Sequence, residues 1–248
     1  MNGPVAIQDG EIHLWQVPLG NLRLRAAADV LDEAERRRAQ GFRFAQDRDR
    51  FIAAHVALRH LLGHAAGVPA ASLAIAARAD GKPHLTALAG LAFNLSHSEE
   101  LALIGVARSN PRSVELGVDV ERIRPLVQRS AAPETEEDLA LAQRHFTPHE
   151  IDHLRSFAAG PRRTQAFFQC WTRKESCVKA TGTGIGVDLR EWQAGFEGVV
   201  QAGPLWLSSV TLDPSLAQEG YVAAVAATAA PHRLVLHPPG EPLPGIGR

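Results

Sequence analysis

The sequence predicts an α+β protein built as two similar lobes, and three observations carry that reading. A charged helical stretch and a long helix with an apolar stripe are followed by several strand-like segments, and the same helix-then-strands order returns in the second half. A polar, proline-bearing segment, ERIRPLVQRSAAPETEED, separates the two runs as a linker would. The 248 residues also divide into two lobes of roughly 100–150 residues, each long enough to bury a core. No residue-by-residue repeat accompanies the shared order.

Each element follows from its own pattern. EIHLWQVPL alternates as a strand does, and Ala28 to Gln40 has helix-forming composition. From Asp47 to Ala66, the residues Phe51, Ala54, Leu58, Leu61 and Leu62 fall at helical spacing, and Gly67 ends the helix. SLAIAAR, LAFNLSH, LALIGVAR and VELGVDVER then read as strands. The second half predicts helices over 136–145, 148–158 and 161–181, with strands at EWQAGFE, LWLSSVTL and YVAAVAAT. The lobes are expected at 1–118 and 119–238, joined near Val120 to Pro133. The Pro/Gly-rich ending, 239–248, is expected to be a disordered tail.

Composition narrows the function classes. Hydrophobic residues at 45% against 21% charged fit a folded, water-soluble chain. A net charge of -1 gives no basic field for nucleic acid, although ERRR at 35–38 and arginines at 43, 48 and 50 leave a local anion site open. Cys170 and Cys177 share one predicted helix, with Cα atoms about 10 Å apart, too far for a disulfide. They read as small core side chains in a reducing compartment. The start of the chain lacks a secretion-signal pattern and YVAAVAATAA is too short to cross a bilayer, so no membrane partner and a cytoplasmic location are expected.

The chemistry concentrates in two segments. Asp119 and Glu121 lie two apart on a strand and so leave the same face. Glu175 precedes Lys179 by one helical turn at the edge of an apolar stripe formed by Phe167, Cys170, Trp171, Cys177 and Val178. Three convergent carboxylates with a lysine suit a hard divalent cation beside a phosphate, and oxygen ligands favour Mg2+ over zinc. A solvated Glu-to-Lys helix pair and an exposed acidic strand face are the simpler alternatives. Lys174 points into the apolar stripe, where a lysine needs an anion to meet.

Ser96 and His97 at the end of FNLSHS, and Lys82 in DGKPH, are candidate phosphate donors. A Ser-His nucleophile pair is disfavoured, because adjacent strand residues face opposite ways and no G-x-S-x-G turn is present. Gly182, Gly184 and Gly186 follow a helix rather than open one, so they read as a helix stop and loop.

GVDVE at 117–121, WTRKESCVKATGTGI at 171–185, GKPH at 81–84 and FNLSHS at 93–98 together resemble the surfactin-synthetase type of 4′-phosphopantetheinyl transferase. The resemblance implies a pseudo-dimeric monomer of two α+β lobes, with coenzyme A in the cleft between them. It implies transfer of phosphopantetheine from coenzyme A to a serine of an acyl or peptidyl carrier protein, releasing adenosine 3′,5′-bisphosphate. It assigns Asp119, Glu121 and Glu175 to Mg2+ and Lys179 to the same phosphates. Glu175 or a water on the metal would take the serine proton. It places Lys82, Ser96 and His97 on the nucleotide phosphates, His97 at the 3′-phosphate, with Arg50 and Arg38 as further candidates there. Glu150 aligns with an acid near the family site, whereas Glu99 and Glu100 stand where the family often has glycine. A metal-dependent phosphohydrolase and a non-catalytic carrier-binding homologue are the alternative functions.

Overall fold

The computed structural model describes residues 7–87, 90–108, 114–124, 137–184 and 188–246. Its contacts divide the chain into two compact units, Met1–Leu116 with Pro231–Arg248, and Gly117–Ala230.

The first unit contains strand β1 (Glu11–Pro18), helices α1 (Leu22–Ala26), α2 (Glu33–Gln40) and α3 (Ala45–Ala66), strands β2 (Ile75–Ala77), β3 (Pro83–Leu85), β4 (Leu91–Ser98) and β5 (Leu101–Arg108), and the late strand β10 (Arg233–His237). Its main sheet runs β10-β1-β5-β4, and β2 pairs with β3 as a separate ribbon. The apolar stripe predicted for α3 is the stripe that is buried: Phe51, Ala54, Leu58, Leu61 and Leu62 lie inside, the last four in a core shared with Trp15, Val17, Ile104 and Val106. Gly67 caps α3 in the left-handed region at φ 71, where a side chain would be strained. The β4–β5 hairpin pairs Ser98 with Leu101, leaving Glu99 and Glu100 as its turn, with Glu99 at φ 48.

The second unit contains β6 (Leu116–Arg122), α4 (Glu137–His145), α5 (Pro148–Arg155), α6 (Pro161–Thr181), β7 (Val199–Ala202), β8 (Leu205–Ser209), α7 (Pro214–Gln218) and β9 (Tyr221–Ala227). The sheet order is β6-β9-β8-β7. Both units therefore follow one plan: a strand, then helices ending in a long one, then antiparallel strands of which the last lies beside the first. This is the α+β class that the sequence predicts. Pro161 opens α6 at a position where its missing N–H costs nothing, and Gly182 closes it at φ 71.

Several local expectations change. The helix expected over Ala28 to Gln40 breaks at Leu31, because Asp32 and Glu35 form a capping box that starts α2 afresh. EWQAGFE is no strand: 189–191 form a 3-10 turn, and the backbone of 189–195 bonds to buried side chains instead of to a neighbouring strand. The tail differs too. Residues from Pro231 onward return to the first unit, β10 pairs in parallel with β1, and Leu243 and Ile246 pack on the first core. Of the expected linker, 125–136 lie outside the described residues, as does Gly186 of the glycine loop.

Candidate active site

The second unit gathers the acids through one close approach. A side-chain carbon added to Gly117 would stand 2.0 Å from the Ser176 carbonyl oxygen and 2.3 Å from the Ala180 nitrogen, so β6 lies directly on the α6 backbone. Only glycine permits that contact. Asp119 and Glu121 follow at alternate positions, on the same face as Gly117. Asp119 is buried, and its Oδ1 accepts a 2.6 Å hydrogen bond from the Lys179 ammonium, one turn beyond Ser176 on α6.

Glu175 completes the group electrostatically. Burial pushes its carboxyl above the ordinary range, and the negative charges of Asp119 and Glu121 push it further, against the opposing pull of Lys179. All four predicted residues thus share one local field. Among the described residues no three His, Cys, Asp or Glu groups form a ready-made metal cage, and the ammonium of Lys179 occupies one oxygen of Asp119. The donor chemistry still fits a hard cation: three carboxylates, no thiolate or imidazole among them, and a like-charge strain at Glu175 that a cation would relieve.

Lys174 finds the anion it requires. Its Nζ lies 2.8 Å from Glu150 Oε2, with both side chains fully buried, and it donates to the carbonyls of Leu189 and Trp192. Glu150 accepts in turn from the backbone N–H groups of Thr147, Ala194 and Gly195. This pair therefore fastens the 189–195 loop to α5 and α6. Cys170 and Cys177 are buried and free; burial pushes the Cys177 thiol up to about 12, so it is inert packing.

The first unit holds the other candidates on separate elements. Lys82, immediately before β3, is buried and donates to Glu115 at 2.7 Å; Arg78 donates to the same carboxylate at 2.5 Å. Burial pushes the Lys82 ammonium below the usual lysine range, and Glu115 draws it back up. On β4 Ser96 is buried and His97 is exposed, as alternation requires. Arg50 donates to Glu99 at 2.9 Å and to Glu100 at 2.8 Å, so the acids that replace the expected glycine engage this candidate phosphate ligand. Arg38, on α2, is exposed and lies 5.8 Å from the Phe51 ring centre.

Sequence reasoning missed Gly117 and Glu115. A glycine inside a strand pattern was the available signal for the first. Nothing local pointed to the second, which meets its partners more than thirty residues away.

Comparison with known proteins agrees with this arrangement. Residues 115–226 match the 4′-phosphopantetheinyl transferase superfamily, and residues 15–109 match the 4′-phosphopantetheinyl transferase N-terminal family. The 4′-phosphopantetheinyl transferase HetI of Nostoc sp. is 36% identical over 225 residues, 87% of each chain. The 4′-phosphopantetheinyl transferase psf-1 of Bacillus pumilus is 30% identical over 189 residues, 73% of this chain and 74% of its own. A putative 4′-phosphopantetheinyl transferase of Synechocystis sp. is 31% identical over 180 residues, 72% of this chain and 68% of its own. The chain belongs to the 4′-phosphopantetheinyl transferase superfamily and is an enzyme of that class. Among the described residues no helix is long and apolar enough to cross a membrane.

Proposed function

We propose that this enzyme is of the surfactin-synthetase type and moves the 4′-phosphopantetheine group of coenzyme A onto a serine of an apo acyl or peptidyl carrier protein. The serine oxygen forms a bond to the phosphorus that carries the pantetheine arm. The bond from that phosphorus to the nucleotide breaks, and adenosine 3′,5′-bisphosphate leaves. The protein works as a cytoplasmic monomer, a setting in keeping with its two buried, free thiols.

Asp119, Glu121 and Glu175 would hold Mg2+, which when bound would offset the charge of the pyrophosphate and of the departing bisphosphate. Glu175 is the proton acceptor for the serine hydroxyl. Its carboxyl, raised by burial and by two neighbouring acids, is a better base than an exposed glutamate. Lys179 orients Asp119 through their bond and presents its charge to the phosphates. Lys82, Ser96 and His97 bind nucleotide phosphates, and Arg50 and Arg38 are further candidates for the 3′-phosphate.

The observation that carries this reading is the meeting of the β6 acids with Glu175 and Lys179 across the Gly117 contact. The test is intact-mass measurement of several apo carriers after incubation with the enzyme, coenzyme A and Mg2+. A phosphopantetheine increment on a carrier, dependent on Mg2+, is expected. Bisphosphate release that proceeds equally without any carrier would contradict transfer and indicate hydrolysis.

A further inference from the structure

Four titratable side chains, two near the start of the sequence and two near its end, form an unbroken chain outside the residues used above. Glu11 Oε2 stands 3.1 Å from His13 Nε2, His13 Nδ1 stands 3.0 Å from His237 Nε2, and His237 Nδ1 stands 2.9 Å from Glu241 Oε2. Glu11, His13 and His237 are buried. The chain ties β1 to β10 and to the segment that follows it, whose Leu243 and Ile246 pack on the core. Trp15 stacks on His237 with ring centres 4.4 Å apart, and Gln16 donates to the His237 carbonyl.

Counting protons gives the consequence. Three hydrogen bonds need three protons, one in each gap. Both ends are carboxylates, which only accept, and two neutral imidazoles carry one N–H each. Two protons fill two gaps and leave the third with facing lone pairs. Four protons, as on two imidazolium rings, put N–H against N–H in the central gap. One proton beyond the neutral pair satisfies all three gaps at once. Glu11 does not supply it, since the Gln8 N–H and then His13 hold its carboxyl below the ordinary range. With both end carboxylates ionised, the extra proton belongs to the two imidazoles.

We propose that Glu11, His13, His237 and Glu241 form a one-proton clasp that fastens β10 and the C-terminal segment to β1, tightest when the histidine pair holds a single positive charge. Among the described residues, the charged groups near it include Arg233 on β10, 3.5 Å from Glu11 Oε1, and Arg23 on α1, which lines the cavity of about 150 Å³ that Glu241 also lines. Residues opposite His13 and Trp15 on β5 are Val106 and Ile104, which do not titrate. Burial holds the His237 imidazole below the ordinary histidine range, Glu241 draws it back up, and a charge on the neighbouring His13 would push it down again.

The clasp is tested on the full chain in two ways. Histidine-ring nitrogen NMR across pH 5 to 9 should show His13 and His237 gaining one shared proton in a single step, then a second at lower pH. Hydrogen exchange of 233–246, corrected for intrinsic rates, should be slowest in the window between those steps and about tenfold faster on either side, the scale of one hydrogen bond. Glu241→Gln supplies an N–H of its own, so the chain can be filled without the extra proton and the high-pH loss of protection should disappear. Two rings titrating independently near their ordinary value of about 6.5 would overturn the proposal. So would protection that is flat across the range, or a Glu241→Gln variant with an unchanged high-pH loss.

Discussion

Each unit buries a cation on its long helix, and the two helices differ in what surrounds that cation. On α3 the guanidinium of Arg59 is fully buried and meets Asp32 and Glu35, each at 2.5 Å, with the Leu73 carbonyl as a further acceptor. On α6 the buried Lys174 is matched to Glu150 in the same manner. One residue further along α6, Glu175 faces two acids and a single lysine, and its carboxyl is raised rather than satisfied. The difference lies in the first strand of each unit: β6 carries Gly117, Asp119 and Glu121, whereas β1 packs Trp15 and Val17 into the first core. The same architecture is thus a closed scaffold where charges are matched and a candidate active site where they are left in tension.

The comparison can be broken at several points. Breaking a matched pair should cost the most. Lys174→Ala leaves Glu150 buried without its cation and should destabilise the fold by about 3–5 kcal/mol, read from urea unfolding midpoints. Arg59→Ala should cost a similar amount, and if either were neutral the two cations would not be the equivalent struts described above.

Gly117→Ala should follow closely. Its new carbon would meet α6 backbone atoms at 2.0 and 2.3 Å, so the helix must move, at about 3 kcal/mol and with loss of activity. Gly41→Ala in the first unit, where the nearest atom is 3.4 Å away, should change stability by less than about 0.5 kcal/mol.

The site acid should respond in the opposite sense. A carboxyl whose folded pKa is raised contributes its stability below its unfolded value and loses it as pH climbs through the folded value. Glu175→Gln should therefore leave stability at pH 8 unchanged or improved, the reverse of Lys174→Ala. For the same reason Mg2+ binding, followed by calorimetry, should weaken as pH falls through the raised Glu175 value, since the ion needs the carboxylate. The smallest effect concerns Cys177, which should react with thiol reagents only after unfolding.

Much of this was legible in the sequence because it is local. Pro161 and Gly182 bracket α6, the two-residue spacing of Asp119 and Glu121 sets their common face, and Lys174 in an apolar stripe demanded an anion. What was illegible depends on distant partners. RLVLH is a strand because β1, more than 200 residues earlier, offers it an edge. EWQAGFE alternates well enough for a strand, yet its backbone groups are taken by Glu150, Arg173 and Lys174. Arg50 looked open to phosphate, and its engagement by Glu99 and Glu100 rests on a hairpin turn that holds Glu99 at φ 48.

The most direct measurement compares initial rates of carrier modification for the wild type and Glu175→Gln, by intact mass at saturating coenzyme A and Mg2+, alongside their unfolding midpoints. A rate lower by at least about 10²-fold, the low end for a general base, with a midpoint unchanged or higher, is the expected result. A variant that modifies carrier within about threefold of the wild-type rate would contradict the assignment of chemistry to this charge cluster.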